Sequence, residues 1–297
     1  PTMFDGQVLK ERITEFADKG VKSIIYAGEG EPLLNKEAVN IINHTKASGI
    51  DAAMSTNGVL LTPEVSRDCL ADLTWIRFST AAITDASYEK IHQCKKGDLQ
   101  IVLHNMEEAV RVKKDKNAST TIGVQLLLLP ENKGEVVQMA KELKKIGVDY
   151  FTVKPFSQHP QSGNILQVDY QELLGVEQEL KDIATDDYKI YFRAHSMQKL
   201  ICKRDYDQCL ALPFMVYIDA KGNLWPCIVF MGKEELSYGN LYQESFEEIW
   251  EGERRKKLME YFYALDLEKN CRELCRLDEM NKYLAELKHP GEHVNFI

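Results

Sequence analysis

The feature that most constrains this chain is an alternation of helix-like and strand-like segments from about residue 4 to residue 192. Residues 7–19 have apolar side chains at helical spacing, and residues 21–27 form a short β-rich run. Repeated helix–strand units of this kind predict a parallel sheet covered by helices. We therefore predict an α/β fold, a partial (β/α)6-type TIM-like barrel, with an open doubly wound sheet as the alternative. Because the series starts with a helix, we expect the first strand upstream of Pro1.

The pattern changes after about His195. Residues 214–218 and 223–227 are short β-rich runs on either side of the turn at 219–222, which predicts a β-hairpin, and helical segments follow. We predict two domains: the barrel over residues 1–199 and a small α+β domain, a β-hairpin plus helices, over residues 200–297.

Composition narrows the class of protein. No apolar run approaches the roughly 20 residues that a membrane span needs, and no signal peptide is visible. We predict a cytoplasmic protein with no membrane partner. The formal net charge of -9 argues against a nucleic-acid partner, because phosphate binding needs clustered Lys and Arg. By itself, that charge would suit a neutral or cationic substrate.

Five of the seven cysteines lie in the last third of the chain, and four of them are candidate metal ligands: Cys209, Cys227, Cys271 and Cys275. The first two flank the predicted hairpin, which returns its ends to one place, and the last two are spaced C-x3-C. Four thiolates brought together suit either Zn²⁺ or an iron–sulfur cluster, and the spacing alone leaves both open. The alternative is that they are ordinary buried cysteines.

The surroundings of these cysteines resemble a known domain. The motifs are the segments 222–227 (GNLWPC), 238–241 (YGNL) and 245–250 (SFEEIW), followed by the C-x3-C pair. Together they resemble the twitch version of the SPASM domain of radical S-adenosylmethionine enzymes. The resemblance implies one auxiliary [4Fe–4S] cluster, bound by Cys209, Cys227, Cys271 and Cys275. The final C-x3-C pair departs from the C-x2-C spacing that is common in twitch domains.

The first part of the chain resembles the same superfamily. Residues 28–32 (GEGEP) follow a predicted strand and are similar to the Gly-Gly-Glu-Pro motif, with Glu29 in place of a glycine, and residues 55–58 (STNG) and Ser79 match two further segments. The resemblance implies that S-adenosylmethionine is bound by Gly28, Glu29, Gly30, Glu31, Pro32, Ser55, Asn57 and Ser79. Gln125, a polar residue inside a buried strand, is a further candidate.

The C-x3-C-x2-C motif that binds the catalytic [4Fe–4S] cluster in this superfamily is not present in the sequence. In the family it precedes the helix that starts here at about Asp5. We expect it upstream of Pro1. The alternative is a degenerate relative that cannot cleave the cofactor.

The resemblance implies an enzyme that uses S-adenosylmethionine and a reduced [4Fe–4S] cluster to remove a hydrogen atom from a C–H bond. We predict a small-molecule substrate, sugar-like or aminoglycoside-like, that is oxidised or epimerised, and a flavodoxin- or ferredoxin-like electron donor. One alternative is a peptide-modifying enzyme, and another is a non-catalytic scaffold that binds zinc.

Two residues are candidates for catalysis. Cys202 lies seven residues before a predicted cluster ligand, where its thiol could return a hydrogen atom to the substrate. Lys154 ends a predicted buried strand, where polar groups facing a barrel interior tend to be functional. Weaker candidates are Cys94, Arg77, Arg193 and His195.

Overall fold

The structure is a computed structural model that describes residues 2–28, 30–157, 162–163, 168, 170, 175–199 and 204–294. The chain divides into two compact units. The larger unit comprises Asp5–Phe156 and Gln167–Met197, and the smaller comprises Pro1–Phe4, Ser157–Leu166 and Gln198–Ile297.

A six-stranded parallel sheet forms the centre of the larger unit in its described part. Its strands are β1 (Ser23–Tyr26), β2 (Asp51–Thr56), β3 (Leu73–Ser79), β4 (Thr121–Leu128), β5 (Tyr150–Pro155) and β6 (Lys189–Phe192). They follow one another in the order β1-β2-β3-β4-β5-β6, and each pair of neighbours is parallel. A doubly wound sheet would reverse its strand order at a switch point, whereas a barrel keeps the order of the chain. The predicted α/β barrel-like class is therefore confirmed.

Helices precede, connect and follow these strands. They are α1 (Gly6–Asp18), α2 (Ala38–Ala47), α3 (Pro63–Cys69), α4 (Asp85–His92), α5 (Asp98–Asp115), α6 (Val136–Ile146), α7 (Val176–Ile183) and α8 (Ala194–Lys199). The N-termini of α1, α3 and α4 are capped by Asp5, Thr62 and Thr84, each of which accepts a hydrogen bond from a backbone amide. Helix α8 did not stand out in the sequence pattern.

Alternation along the strands separates the core from the opposite face of the sheet. In β3, Ile76 and Phe78 are fully buried, whereas Arg77 and Ser79 between and beside them are half-buried. The half-buried side chains share one face, and that face carries most of the residues that the sequence marked as functional.

In the smaller unit, an antiparallel three-stranded sheet is formed by β7 (Tyr217–Ile218), β8 (Asn223–Trp225) and β9 (Gly239–Asn240). Its helices are α9 (Phe246–Glu251), α10 (Glu253–Tyr263), α11 (Leu267–Asn270) and α12 (Asp278–Lys288). Asp219 fixes the hairpin turn, because its carboxylate accepts bonds from the Lys221 amide at 2.8 Å and the Trp225 indole at 2.9 Å. The predicted hairpin is present, and β9 and α11 are additional to the predicted elements.

The long segment of the smaller unit begins at Gln198, close to the predicted domain boundary between residues 199 and 200. Two short segments from earlier in the chain also belong to the smaller unit. Among the helices that the structure describes, none is both long and apolar enough to cross a lipid bilayer.

Candidate functional site

The loop after β1 carries the first predicted cofactor-binding residues. Gly28 has a φ of 151°, a conformation that favours glycine. A Cβ atom added to Gly28 or to Gly30 would meet no atom within 4 Å, so the backbone here borders open space. Such a backbone fits a ligand that approaches the main chain closely. Glu29 lies outside the described residues.

Glu31 joins this loop to the turn that follows β2. One carboxylate oxygen accepts hydrogen bonds from the Thr56 hydroxyl at 2.8 Å and the Leu33 amide at 3.1 Å. The other oxygen accepts a bond from the Asn57 amide at 2.7 Å. Pro32 opens a 3₁₀ turn, Pro32–Leu34, that Glu31 caps. The Glu31 carboxylate therefore holds two loops of the candidate cofactor site together.

The turn after β2 is further ordered by its own side chains. The Asn57 side-chain oxygen accepts a bond from the Val59 amide at 2.9 Å, and the Thr56 hydroxyl accepts one from the Gly58 amide at 3.0 Å. Thr56 lies within the STNG segment but was not among the predicted ligand residues, and the structure shows that its hydroxyl helps to order this turn.

Ser55 and Ser79 lie at the carboxyl ends of β2 and β3, and their hydroxyl oxygens are 3.3 Å apart. In the sheet register Ser79 pairs with Gln125, Gln125 with Thr152, and Thr152 with Tyr191. We call these four residues the Ser79 row. The structure thus brings the predicted residues Ser55, Ser79 and Gln125 together on one face of the sheet, where barrel enzymes place their ligands.

The two predicted catalytic residues have different outcomes. Lys154 is half-buried near the end of β5 and pairs in register with Leu127 on β4. Leu127 lies two residues after Gln125 and therefore on the same face of the sheet. Lys154 therefore lies next to the Ser79 row on the same face. Cys202 lies outside the described residues.

In the smaller unit, the four predicted ligand cysteines form one interacting group. The Cys271 and Cys275 thiols share a hydrogen bond, and the charge on Cys275 acts on Cys209 and Cys227. The four thiols are therefore electrostatically coupled, although they come from segments far apart in sequence. The donor set, four thiols, fits an iron–sulfur cluster. Within the described residues, no three His, Cys, Asp or Glu side chains already stand at ligand distances around a single metal ion.

Hydrogen bonds and burial give these thiols different acidities. Burial raises the pKa of Cys209, and raises that of Cys227 to about 11. The pKa of Cys275 is lowered to about 6, first by the hydrogen bond from Cys271 and also by the Leu277 amide, which donates to its sulfur at 3.3 Å. Hydrogen bonds to ligand sulfurs stabilise thiolates and tune a bound cluster.

Two further residues hold this cysteine group in place, and sequence reasoning missed both. Asn281 is buried on α12, donates to the Cys209 sulfur at 3.6 Å and accepts from the Ala211 amide at 2.9 Å. The Arg204 guanidinium donates to the carbonyl oxygens of Leu267 and Arg272, on either side of Cys271. No motif marks them, because their contacts span about 60 to 70 residues of sequence.

Comparison with known proteins places both units. Residues 4–143 match the radical SAM superfamily, and residues 209–277 match the SPASM iron–sulfur cluster-binding domain. The chain is 24% identical over 260 residues to the AdoMet-dependent heme synthase of Methanosarcina barkeri, covering 82% of this chain and 72% of that protein. It is also 24% identical over 257 residues to the tungsten-containing aldehyde ferredoxin oxidoreductase cofactor-modifying protein of Pyrococcus furiosus, covering 79% and 68%.

Solved structures share the fold. Streptococcus suis SuiB bound to S-adenosylmethionine superposes with a TM-score of 0.68 and 13% identity, covering 87% of this chain and 60% of SuiB. The enzyme anSMEcpe with bound AdoMet gives a TM-score of 0.58 and 15% identity, covering 96% and 82%. The chain therefore spans about three fifths of the length of SuiB.

These domains imply S-adenosylmethionine, a catalytic [4Fe–4S] cluster and an auxiliary cluster. The glycine loop fits S-adenosylmethionine, and the cysteine group fits the auxiliary cluster. The ligands of the catalytic cluster are not among these residues, because the sequence has no C-x3-C-x2-C motif. The chain joins a domain of the radical SAM superfamily to a SPASM iron–sulfur cluster-binding domain.

Proposed function

We propose that this protein is a radical SAM enzyme that removes a hydrogen atom from a C–H bond of a small organic substrate, leading to its oxidation or epimerisation. The proposal is supported by two observations: open space beside the backbone of Gly28 and Gly30 in the larger unit, and four interacting thiols in the smaller unit. When bound, S-adenosylmethionine and its cluster supply the radical chemistry that breaks the C–H bond.

The chain's own residues would position the reactants. Gly28 and Gly30 leave room for the cofactor at the backbone, and Glu31 holds their loop against the turn after β2. Ser55 and Ser79 present adjacent hydroxyl groups to the same face of the sheet. Fixed polar groups of this kind orient a bound molecule at little entropic cost.

In the smaller unit, Cys209, Cys227, Cys271 and Cys275 would hold an auxiliary [4Fe–4S] cluster. Asn281 and the Leu277 amide would donate hydrogen bonds to its ligand sulfurs. The alternative is a scaffold in which the same four thiols bind structural zinc. The metal that the protein takes up distinguishes the two possibilities.

Anaerobic reconstitution with iron and sulfide tests the proposal. The full-length protein should bind about eight iron atoms from two [4Fe–4S] clusters and should cleave S-adenosylmethionine to 5′-deoxyadenosine under reduction. The double variant Cys271→Ser/Cys275→Ser should fall to about four iron atoms, and the matched control Cys94→Ser should retain the full number. Uptake of zinc with no iron would overturn the proposal in favour of the scaffold.

A peptide substrate is a second candidate, because two of the fold relatives have peptides in their descriptions. SuiB was solved bound to the precursor peptide SuiA, and anSMEcpe with bound AdoMet and the Kp18Cys peptide. Transfer of deuterium from a labelled substrate into 5′-deoxyadenosine distinguishes a peptide substrate from a small-molecule substrate. Transfer from a labelled peptide, with none from sugar-like or other small molecules, would replace the small-molecule proposal.

The choice between oxidation and epimerisation depends on whether a thiol returns a hydrogen atom to the substrate. We propose Cys202 for that role on the strength of its place in the sequence. A Cys202→Ala variant that still inverts a centre and incorporates solvent deuterium normally would exclude it as the donor.

A further inference from the structure

The side chain of Arg204 is bound to the backbone on both sides of Cys271. Its Nη1 group donates to the Leu267 carbonyl at 2.9 Å, and its Nη2 group donates to the Arg272 carbonyl. The Leu267 carbonyl also accepts a hydrogen bond from the backbone amide of Cys271 at 3.1 Å. The same oxygen atom therefore joins the guanidinium of Arg204 to the backbone of a predicted cluster ligand.

The third nitrogen of this guanidinium is not used in the same way. The Arg204 Nε atom is buried and has no hydrogen-bond partner among the residues that the structure describes. The acceptors of the other two nitrogens are neutral carbonyl groups, and within the described part of the chain no carboxylate pairs with Arg204. A buried donor of a charged group is costly when it stays unpaired. An unpaired donor of this kind in a folded protein points to an acceptor supplied by a bound group.

The chemistry of the neighbouring side chains indicates what that group is. Cys271 and Cys275 are two of the four thiols that fit an iron–sulfur cluster, and its thiolate and sulfide sulfurs all accept hydrogen bonds. The hydrogen bond from Cys271 is the largest cause that lowers the pKa of Cys275, and the positive charges of Arg272 and Arg204 add to it. A sulfur acceptor here would form a charge-assisted hydrogen bond with the guanidinium.

We infer that Arg204 donates its Nε–H group to a sulfur atom of the auxiliary [4Fe–4S] cluster and thereby raises the reduction potential of that cluster. The inference rests on the proposed function for the identity of the cluster. Reduction adds one negative charge to a centre that is already negative. A fixed positive charge and a hydrogen bond to sulfur both stabilise the reduced form more than the oxidised form, so Arg204 makes the cluster easier to reduce.

Arg254 provides a matched control within the smaller unit. It also binds two backbone carbonyls, because its Nε group donates to Ser237 at 2.7 Å and its Nη2 group donates to Glu234 at 2.9 Å. Arg254 is exposed, and neither of these carbonyls belongs to a residue next to a cysteine. A glutamine in place of either arginine removes one charge and two backbone bonds, and only the loss at Arg204 should affect the cluster.

A redox titration of the reconstituted full-length protein, followed by EPR, tests the inference. The signal that added S-adenosylmethionine leaves unchanged belongs to the auxiliary cluster. At a fixed solution potential, Arg204→Gln should lower the ratio of reduced to oxidised auxiliary cluster about tenfold, the effect of one lost hydrogen bond to a charged group. For a one-electron couple this is a fall of about 59 mV in midpoint potential. Arg204→Lys should give a smaller fall, because it keeps the charge but not the planar group.

Arg254→Gln should leave the potential of the auxiliary cluster unchanged. Equal potentials in Arg204→Gln and Arg254→Gln would overturn the inference, because Arg204 would then only hold the backbone around Cys271. If Arg204→Gln does not retain the cluster, ENDOR of the reduced auxiliary cluster in protein labelled with nitrogen-15 arginine decides. A nitrogen-15 coupling that is lost in Arg204→Lys supports the inference, and identical spectra overturn it. Zinc in place of iron would overturn the proposed function as well, whereas iron with an unchanged potential overturns this inference alone.

Discussion

Substitution of Glu31 by glutamine is the sharpest test of how the cofactor loop is built. The amide keeps the shape of the carboxylate, but one of its two terminal atoms becomes a nitrogen that only donates. All three partners of Glu31 are donors, so in either orientation the new NH₂ group faces at least one of them: the Asn57 amide, or the Leu33 amide and the Thr56 hydroxyl. The Thr56 oxygen already accepts from Gly58.

At least one charge-assisted hydrogen bond is therefore lost, at a cost of about 1.5–3 kcal/mol. For a domain of roughly 150–250 residues, each kcal/mol shifts the melting temperature by about 2–4 °C. We expect the Glu31→Gln variant to melt about 3–12 °C lower than the unmodified protein. Hydrogen exchange of the Asn57 amide should accelerate as well, because this amide loses its acceptor or shares a weaker one.

Calorimetry and hydrogen exchange followed by mass spectrometry or NMR measure both effects. The control is Glu11→Gln on the exposed face of α1, where the carboxylate accepts a single bond from Gln7 at 3.0 Å. That control should change stability by less than about 0.5 kcal/mol. If Glu31→Gln matches the control in melting temperature and in Asn57 exchange, the carboxylate does not hold the two loops together.

Three further predictions follow from contacts in the two units. A Cβ at Gly123 would lie 2.0 Å from the Tyr150 ring, so Gly123→Ala should cost about 1–3 kcal/mol in calorimetry, and adding Tyr150→Leu should recover part of it. Burial lowers the pKa of His92, and its neutral ring accepts a hydrogen bond from the Ala81 amide at 3.1 Å. The neutral imidazole therefore stabilises the fold above about pH 6.5, and this stabilisation is lost as the pH falls. Melting temperatures that depend on pH in the same way for the unmodified protein and for His92→Gln would contradict this. Asn281→Ala should leave a buried amide unpaired and cost about 1–3 kcal/mol, with a changed EPR signal of the auxiliary cluster, and an unaltered signal would exclude a role in tuning it.

The order of elements could be read from the sequence because each strand and helix is specified locally. Residues 121–128 form a long apolar run, and the strand β4 lies there. Gly147 adopts a φ of 90° as the residue after α6, and glycine at that position is a common sequence signal for the end of a helix. Helix α11 was missed because it has only four residues and no apolar period of its own.

The candidate sites were predictable where one short segment carries the signal, and not where a contact spans the chain. The cysteines and the glycine loop stand out as motifs. The bond between Glu31 and Asn57 joins residues 26 positions apart, and that between Arg204 and Arg272 joins residues 68 apart. Sequence spacing contains no information about such pairs, because the register of the sheet and the packing of the helices determine them.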